Sequence, residues 1–271
     1  MNPTHPPQLI ADYQTQIGEN PLWHPTEKRL YWTDIPTGRI FRYDPVSDAH
    51  EQIYSGATVG GFTFQADGGL LLFMERGRIA TWKDGHVETL IDEIPVERAS
   101  RFNDVIADQQ GRVFCGTMPT PEARGRLYRL DRDRSLHPLL EDIAISNGFG
   151  FTPDRKGLYY TESLRHMIHY FDYDAQSGAL SDQRIWLQTP PDEGVPDGMT
   201  VDAEGFIWSA RWDGSAVYCY SPAGEIVQKI EIPAKKVTSV AFGGGGLRDL
   251  YVTTALNGGT TETEGSGAGA L

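Results

Sequence analysis

Short apolar runs recur along this chain, each introduced by a polar or small residue and closed by a tight turn. The clearest copies are Asn147-Gly148-Phe149-Gly150-Phe151 and Asp197-Gly198-Met199-Thr200-Val201. Looser copies are Glu19-Asn20-Pro21-Leu22-Trp23, Gly60-Gly61-Phe62-Thr63-Phe64, Asn103-Asp104-Val105-Ile106-Ala107 and Ser239-Val240-Ala241-Phe242. A second apolar strand follows each, starting near Leu30, Leu70, Val113, Leu158, Ile207 and Leu250. The spacing is roughly 40–50 residues, the period of a propeller blade.

Within a repeat the pattern predicts four strands. The second repeat is the cleanest: Gly61–Phe64, Leu70–Phe73, Arg78–Trp82 and Val87–Ile91, separated by Asp67-Gly68, Arg76-Gly77 and Asp84-Gly85. Such dipeptides are hairpin signals because their residues tolerate positive φ. No amphipathic helical period appears. The expectation is a single all-β domain over residues 1–271, a six-bladed β-propeller with four-stranded antiparallel blades. The last blade is expected to be incomplete at the C-terminus. Leu9–Tyr13 is a candidate closing strand for the ring. Residues 1–8 and roughly 257–271, rich in Pro or in Gly and Thr, are candidates for mobile segments.

The phase of the pattern matters more than its period. Glu19, Asn103, Asn147, Asp197 and Ser239 each stand about ten or eleven residues before the second strand of their repeat. Around an axis, residues of one phase meet at one place. Glu19, Asn147 and Asp197 offer oxygen atoms only, a set that suits a hard divalent cation with water completing its shell. No thiolate or imidazole shares the phase, which disfavours a structural zinc site. Asp131-Arg132-Asp133-Arg134-Ser135 looks like the start of a calcium loop, but Leu136 stands where that loop needs glycine, so it reads as an outer hairpin turn.

Composition narrows the partners. The chain has 271 residues and a formal net charge of -13. Acid excess of that size repels phosphate backbones and anionic lipid, so neither nucleic acid nor a membrane is expected as partner. No long apolar run or signal-peptide pattern is present, and the two cysteines, Cys115 and Cys219, sit in apolar strands and read as buried thiols. A cytoplasmic protein, monomeric or weakly homo-oligomeric, is the expectation.

The stretches Gly18-Glu19-Asn20-Pro21-Leu22-Trp23, Arg101-Phe102-Asn103-Asp104, Ser146-Asn147-Gly148, Pro196-Asp197-Gly198-Met199 and Thr238-Ser239-Val240-Ala241-Phe242-Gly243-Gly244 resemble, in order, the motifs of the SMP-30/regucalcin, gluconolactonase and luciferin-regenerating enzyme family. The resemblance implies one divalent metal ion in the central channel, with Glu19, Asn147 and Asp197 as its ligands. It further implies Arg101 and Asn103 as substrate contacts and Asp197 as general base. Glu122 is a counterpart of the family's further substrate-contacting acid, in a loop of different length and content. Calcium heads the candidate ions, with zinc, manganese and magnesium as alternatives.

The implied activity is hydrolysis of small sugar lactones, with the metal polarising the carbonyl and Asp197 taking the proton of the attacking water. Two other readings share the scaffold: hydrolysis of other esters or organophosphates, and calcium binding without turnover.

Overall fold

The structure, a computed structural model, describes residues 6–271. The first sheet holds β1 (Gly18–His24), β2 (Arg29–Asp34), β3 (Arg39–Asp44) and β4 (Ala49–Ser55). The second holds β5 (Val59–Phe64), β6 (Leu70–Met74), β7 (Ile79–Lys83) and β8 (His86–Ile91). The third holds β9 (Phe102–Ala107), β10 (Val113–Thr117), β11 (Gly125–Leu130) and β12 (Leu136–Ile143). The fourth holds β13 (Ser146–Phe151), β14 (Gly157–Glu162), β15 (Met167–Tyr173) and β16 (Leu180–Gln188). The fifth holds β17 (Val195–Val201), β18 (Ile207–Trp212), β19 (Ala216–Tyr220) and β20 (Ile226–Glu231). All five are antiparallel meanders with neighbours in chain order.

The sixth sheet is smaller than the other five, so there are five four-stranded blades and an incomplete last one, the incompleteness expected from the sequence. It has two strands, β21 (Val237–Gly243) and β22 (Asp249–Thr254). The chain beyond β22 cannot continue a pleat, because Gly258, Gly265, Gly267 and Gly269 all take positive φ. It forms turns and the one-turn helix α1 (Thr261–Glu264). This tail, considered above as a candidate mobile segment, packs against the N-terminal segment. Ile10 N–H donates to Leu271 O at 2.8 Å, Leu271 N–H to Ala11 O at 2.9 Å, and Thr15 N–H to Gly269 O at 2.8 Å. The Leu9–Tyr13 stretch contributes a single bridge, Asp12 to Ala270, in place of a full strand. Residues 1–5 of the candidate mobile N-terminus lie outside the described residues.

Alternation explains why the second strand of each repeat reads as an unbroken apolar run. Both of its faces are covered, each by a different neighbouring sheet. In β6, Leu70 and Leu72 pack toward the first sheet while Leu71 and Phe73 pack toward the third. In β14, Leu158 and Tyr160 face the third sheet and Tyr159 the fifth. The last core joins β22 back to the first sheet, where Tyr251 and Leu271 meet Trp23, Leu30 and Trp32. The innermost strands β1, β5, β9, β13, β17 and β21 therefore neighbour one another in a closed ring. Outer strands such as β8 and β20 are largely exposed. Among the described residues no helix is long and apolar enough to cross a membrane. Cys115 and Cys219 are buried free thiols.

Candidate functional site

Each innermost strand breaks register with its neighbour at the same phase. The shift falls between Glu19 and Leu22 in β1, between Val59 and Gly61 in β5, and opposite Gly116 in β9. It recurs between Asn147 and Phe149 in β13, Pro196 and Met199 in β17, and Val237 and Ser239 in β21. An extra residue in one strand bends it and re-aims its side chains. That is how polar residues in otherwise apolar strands come to face the axis. In β1 the distortion is carried by Asn20, at φ 52, a left-handed conformation that asparagine tolerates better than most residues. Its Oδ1 accepts the Phe62 N–H at 2.7 Å, tying β1 to β5.

Close backbone approach completes the ring. A Cβ on Gly148 would stand 2.6 Å from Asp197 O, and one on Gly60 would stand 2.0 Å from Phe102 O. Only glycine lets these innermost strands come so near. The Thr238 hydroxyl donates to Gly18 O across the last junction.

At this level Glu19, Asn103, Asp104, Asn147, Asp197 and Ser239 are all buried. Arg101 is partly buried; its Nη1 donates to Asn103 Oδ1 at 2.6 Å and to Phe102 O at 2.9 Å. Asn103 Nδ2 donates to Ser146 O at 2.8 Å and to Asn147 Oδ1 at 2.7 Å. Glu19 Oε2 accepts the Asn20 N–H at 3.1 Å.

The electrostatics are those of crowded acids. Burial raises Glu19 well above the usual carboxylate range, and the charges of Asp104 and Asp197 raise it further. Burial and Asp104 likewise raise Asp197, against the pull of Arg101 and Arg211. Burial brings Asp104 up to about 7, with Arg101 opposing. Arg101, drawn upward by all three acids, is nonetheless lowered to about 10 by its own desolvation. Three buried acids thus share Arg101 as their common cationic neighbour. Ionised carboxylates buried with too little positive charge are costly, and a divalent cation taking oxygen ligands would offset the excess. Among the described residues no three His, Cys, Asp or Glu side chains converge on one point. Beside the Glu19 and Asp197 carboxylates, the buried Asn147 would offer a cation a carboxamide oxygen. That donor set fits the chemistry of a hard cation.

Glu122 is not part of this cluster. It sits exposed on the loop between β10 and β11, with its N–H donated to Thr120 Oγ1 at 3.3 Å. The loop is anchored beside the site, since the Met118 N–H donates to Arg101 O at 3.0 Å. Reading the sequence missed Asp104, although it follows Asn103 directly at the same register break. It also missed Ser163, whose Oγ accepts a hydrogen bond from Asn147 Nδ2 at 2.8 Å. Ser163 follows the second strand of its repeat, outside the phase that singled out the others.

A groove of about 470 Å³ between the first two blades contains none of these residues. It is lined by His24, Tyr31, Arg42, Phe64 and Trp82 among others, at the far end of β1 from Glu19. Its guanidinium is already paired, Arg42 Nε donating to Glu51 Oε1 at 3.2 Å.

The chain is similar to known proteins in sequence and in fold. The model of the SMP-30/Gluconolactonase/LRE-like region matches residues 17–256. A pentonolactonase of Haloferax volcanii is 46% identical over 268 residues, covering 97% of this chain and 91% of that protein. Regucalcin of Xenopus laevis is 34% identical over 260 residues, covering 93% of this chain and 87% of its own length. Among solved structures, a luciferin-regenerating enzyme superposes with a TM-score of 0.84 at 30% identity, covering 90% of this chain and 85% of that one. With both the family model and these relatives spanning nearly its whole length, the chain belongs to the SMP-30/gluconolactonase/LRE-like family.

Proposed function

We propose that this lactonase opens small sugar lactones at the axial cluster, with one divalent cation, calcium first among the candidates, held by Glu19, Asn147 and Asp197. The observation that carries the reading is the burial of Glu19, Asn147 and Asp197 on the closed ring of innermost strands, with Asp104 and Asp197 raising Glu19 and Arg101 opposing them. The pentonolactonase relative supports the substrate class.

A bound cation would supply Lewis-acid polarisation of the lactone carbonyl. The remaining work falls to the chain. Asp197 accepts the proton of the attacking water at a carboxylate oxygen. Burial and the neighbouring Asp104 make it a stronger base than an exposed carboxylate, while a cation beside it withdraws part of that gain. Arg101 presents a rigid fork of donors to ring and hydroxyl oxygens. Asn103 Oδ1 faces the same guanidinium and shares the substrate-contact role, and Glu122 would meet the substrate from the loop anchored on Arg101. The buried setting strengthens the Asp197 and Arg101 charges relative to water.

The test is a panel of aldonolactones, aryl esters and organophosphates, run with calcium, zinc, manganese and magnesium on chelator-stripped protein. Aldonolactone hydrolysis that vanishes on stripping and returns with cation is expected. Turnover of esters alone would move the reading to a different substrate class. Cation binding without turnover of anything in the panel would leave a regucalcin-like binding protein. Full activity after stripping would remove the cation from the mechanism.

A further inference from the structure

Asn147 can serve a cation only through its carboxamide oxygen, since the nitrogen end is a donor with two hydrogens. Which end faces the axis is decided by hydrogen-bond partners, and those partners form a chain with a fixed direction. It starts at Arg101, whose guanidinium donates and never accepts. Arg101 Nη1 donates to Asn103 Oδ1. Asn103 must then offer its nitrogen outward, and both Nδ2 hydrogens are used, one on Ser146 O and one on Asn147 Oδ1. Asn147 is thereby held with its oxygen toward Asn103 and its nitrogen toward Ser163 Oγ, 2.8 Å away. One lone pair of Asn147 Oδ1 remains for a ligand at the axis.

We propose that Ser163 is a positioning residue: it is the terminal acceptor of the chain Arg101→Asn103→Asn147→Ser163, and it keeps the Asn147 oxygen presented to the axial cation. The proposal rests on the cation reading given above. Ser163 is itself held firmly. It opens the 3-10 turn Ser163–Arg165 directly after β14. Its N–H donates to Ile145 O at 3.1 Å, and its carbonyl accepts from the His166 N–H at 2.8 Å. The preceding Glu162 is buried and clamped, accepting the Ala144 N–H at 2.8 Å and pairing with Arg165 Nη1 at 2.9 Å. The acceptor that ends the chain therefore stays in place. Without it, the Asn147 nitrogen would be a buried donor lacking a partner. A rotated carboxamide, with nitrogen toward the axis, would become competitive.

Calorimetric titration of calcium and of manganese into chelator-stripped protein tests this, comparing wild type, Ser163→Ala, Asn147→Asp and the double variant. Ser163→Ala should weaken cation binding roughly tenfold or more, the usual cost of losing a partner behind a ligand. In the Asn147→Asp background the same change should cost no more than about threefold, because a carboxylate shows oxygen whichever way it turns. Ser163→Thr, which keeps the γ-hydroxyl, should restore most of the loss. Equal losses in both backgrounds would mean that Ser163 merely fills space, and would overturn the proposal. So would a Ser163→Ala protein binding cation as tightly as wild type. A wild type that binds no cation would take down the functional reading and this inference together, which separates the two failures.

Discussion

Asn103 Nδ2 stands 2.7 Å from Asn147 Oδ1, joining the third sheet to the fourth at the axis through two buried carboxamides. One residue thus touches both halves of the site: Arg101 through its oxygen and Asn147 through its nitrogen. Asn103→Ala should weaken cation binding about tenfold and lower kcat/KM more than that, roughly 10²-fold. Calorimetry and steady-state kinetics on the same preparation check it. Loss confined to KM, with unchanged cation affinity, would make Asn103 a substrate contact alone.

Asp197 is asked to do two things, hold a cation and take a proton. Asp197→Asn keeps an oxygen for the first and loses the second. Its kcat should fall by about 10²–10⁴, while cation binding persists in weakened form. Lactone hydrolysis at the wild-type rate would end the assignment of Asp197 as base.

The acids also set a pH dependence. Asp104 has a folded pKa of about 7 against an ordinary value of 3.8, raised by burial. Between these values the folded chain holds a proton that the unfolded chain has released. Stability from this group is thus fully present below the ordinary value and lost as pH rises through the folded one. In cation-free protein, the melting temperature of wild type should fall relative to Asp104→Asn between about pH 4 and pH 7.5, by several degrees. Added cation should recover more at the upper pH, where its ligands are ionised. A gap that stays constant with pH would show that Asp104 does not titrate in this window.

Asn20 holds the left-handed turn of β1 and accepts the Phe62 N–H. Asn20→Ala strains that backbone and leaves a buried donor unpaired. The combined cost should be about 2–4 kcal/mol, seen as a melting temperature lower by roughly 5–15 °C. Asn20→Gly should recover the backbone part of it. Thermal melts of the three proteins decide.

Gly148→Ala tests the close approach of β13 and β17. The new methyl would meet Asp197 O at 2.6 Å and Met199 N at 2.8 Å, both backbone atoms that can yield only by moving the strand. Displacing Asp197 by even a fraction of an ångström should lower kcat at least about tenfold, since misplacement by 1 Å costs roughly 10². Wild-type turnover would show that the two strands have slack.

Much of the site was legible in the amino-acid order because it repeats. Glu19, Asn103, Asn147, Asp197 and Ser239 share a phase, and all five are buried at the inner register breaks. Asp104 escaped notice because an even alternation of faces turns one of two consecutive residues away. The break opposite Gly116 makes Asn103 and Asp104 share a single partner position, a departure that alternation does not encode. Glu122 shows the converse: the family pattern singled it out, and it lies exposed on the β10–β11 loop, outside the buried cluster, on a loop tied to Arg101 O through the Met118 N–H.

The recurrence of apolar runs, the hairpin turns between them and the oxygen-only donors at one phase were settled by local order, since each depends on residues a few positions apart. The closure of Leu271 on Ala11 and the directed chain from Arg101 to Ser163 were settled only by tertiary structure. These depend on how far neighbouring sheets lean together and where their registers slip. That is fixed by packing between residues distant in the chain, and no stretch of the sequence carries it alone.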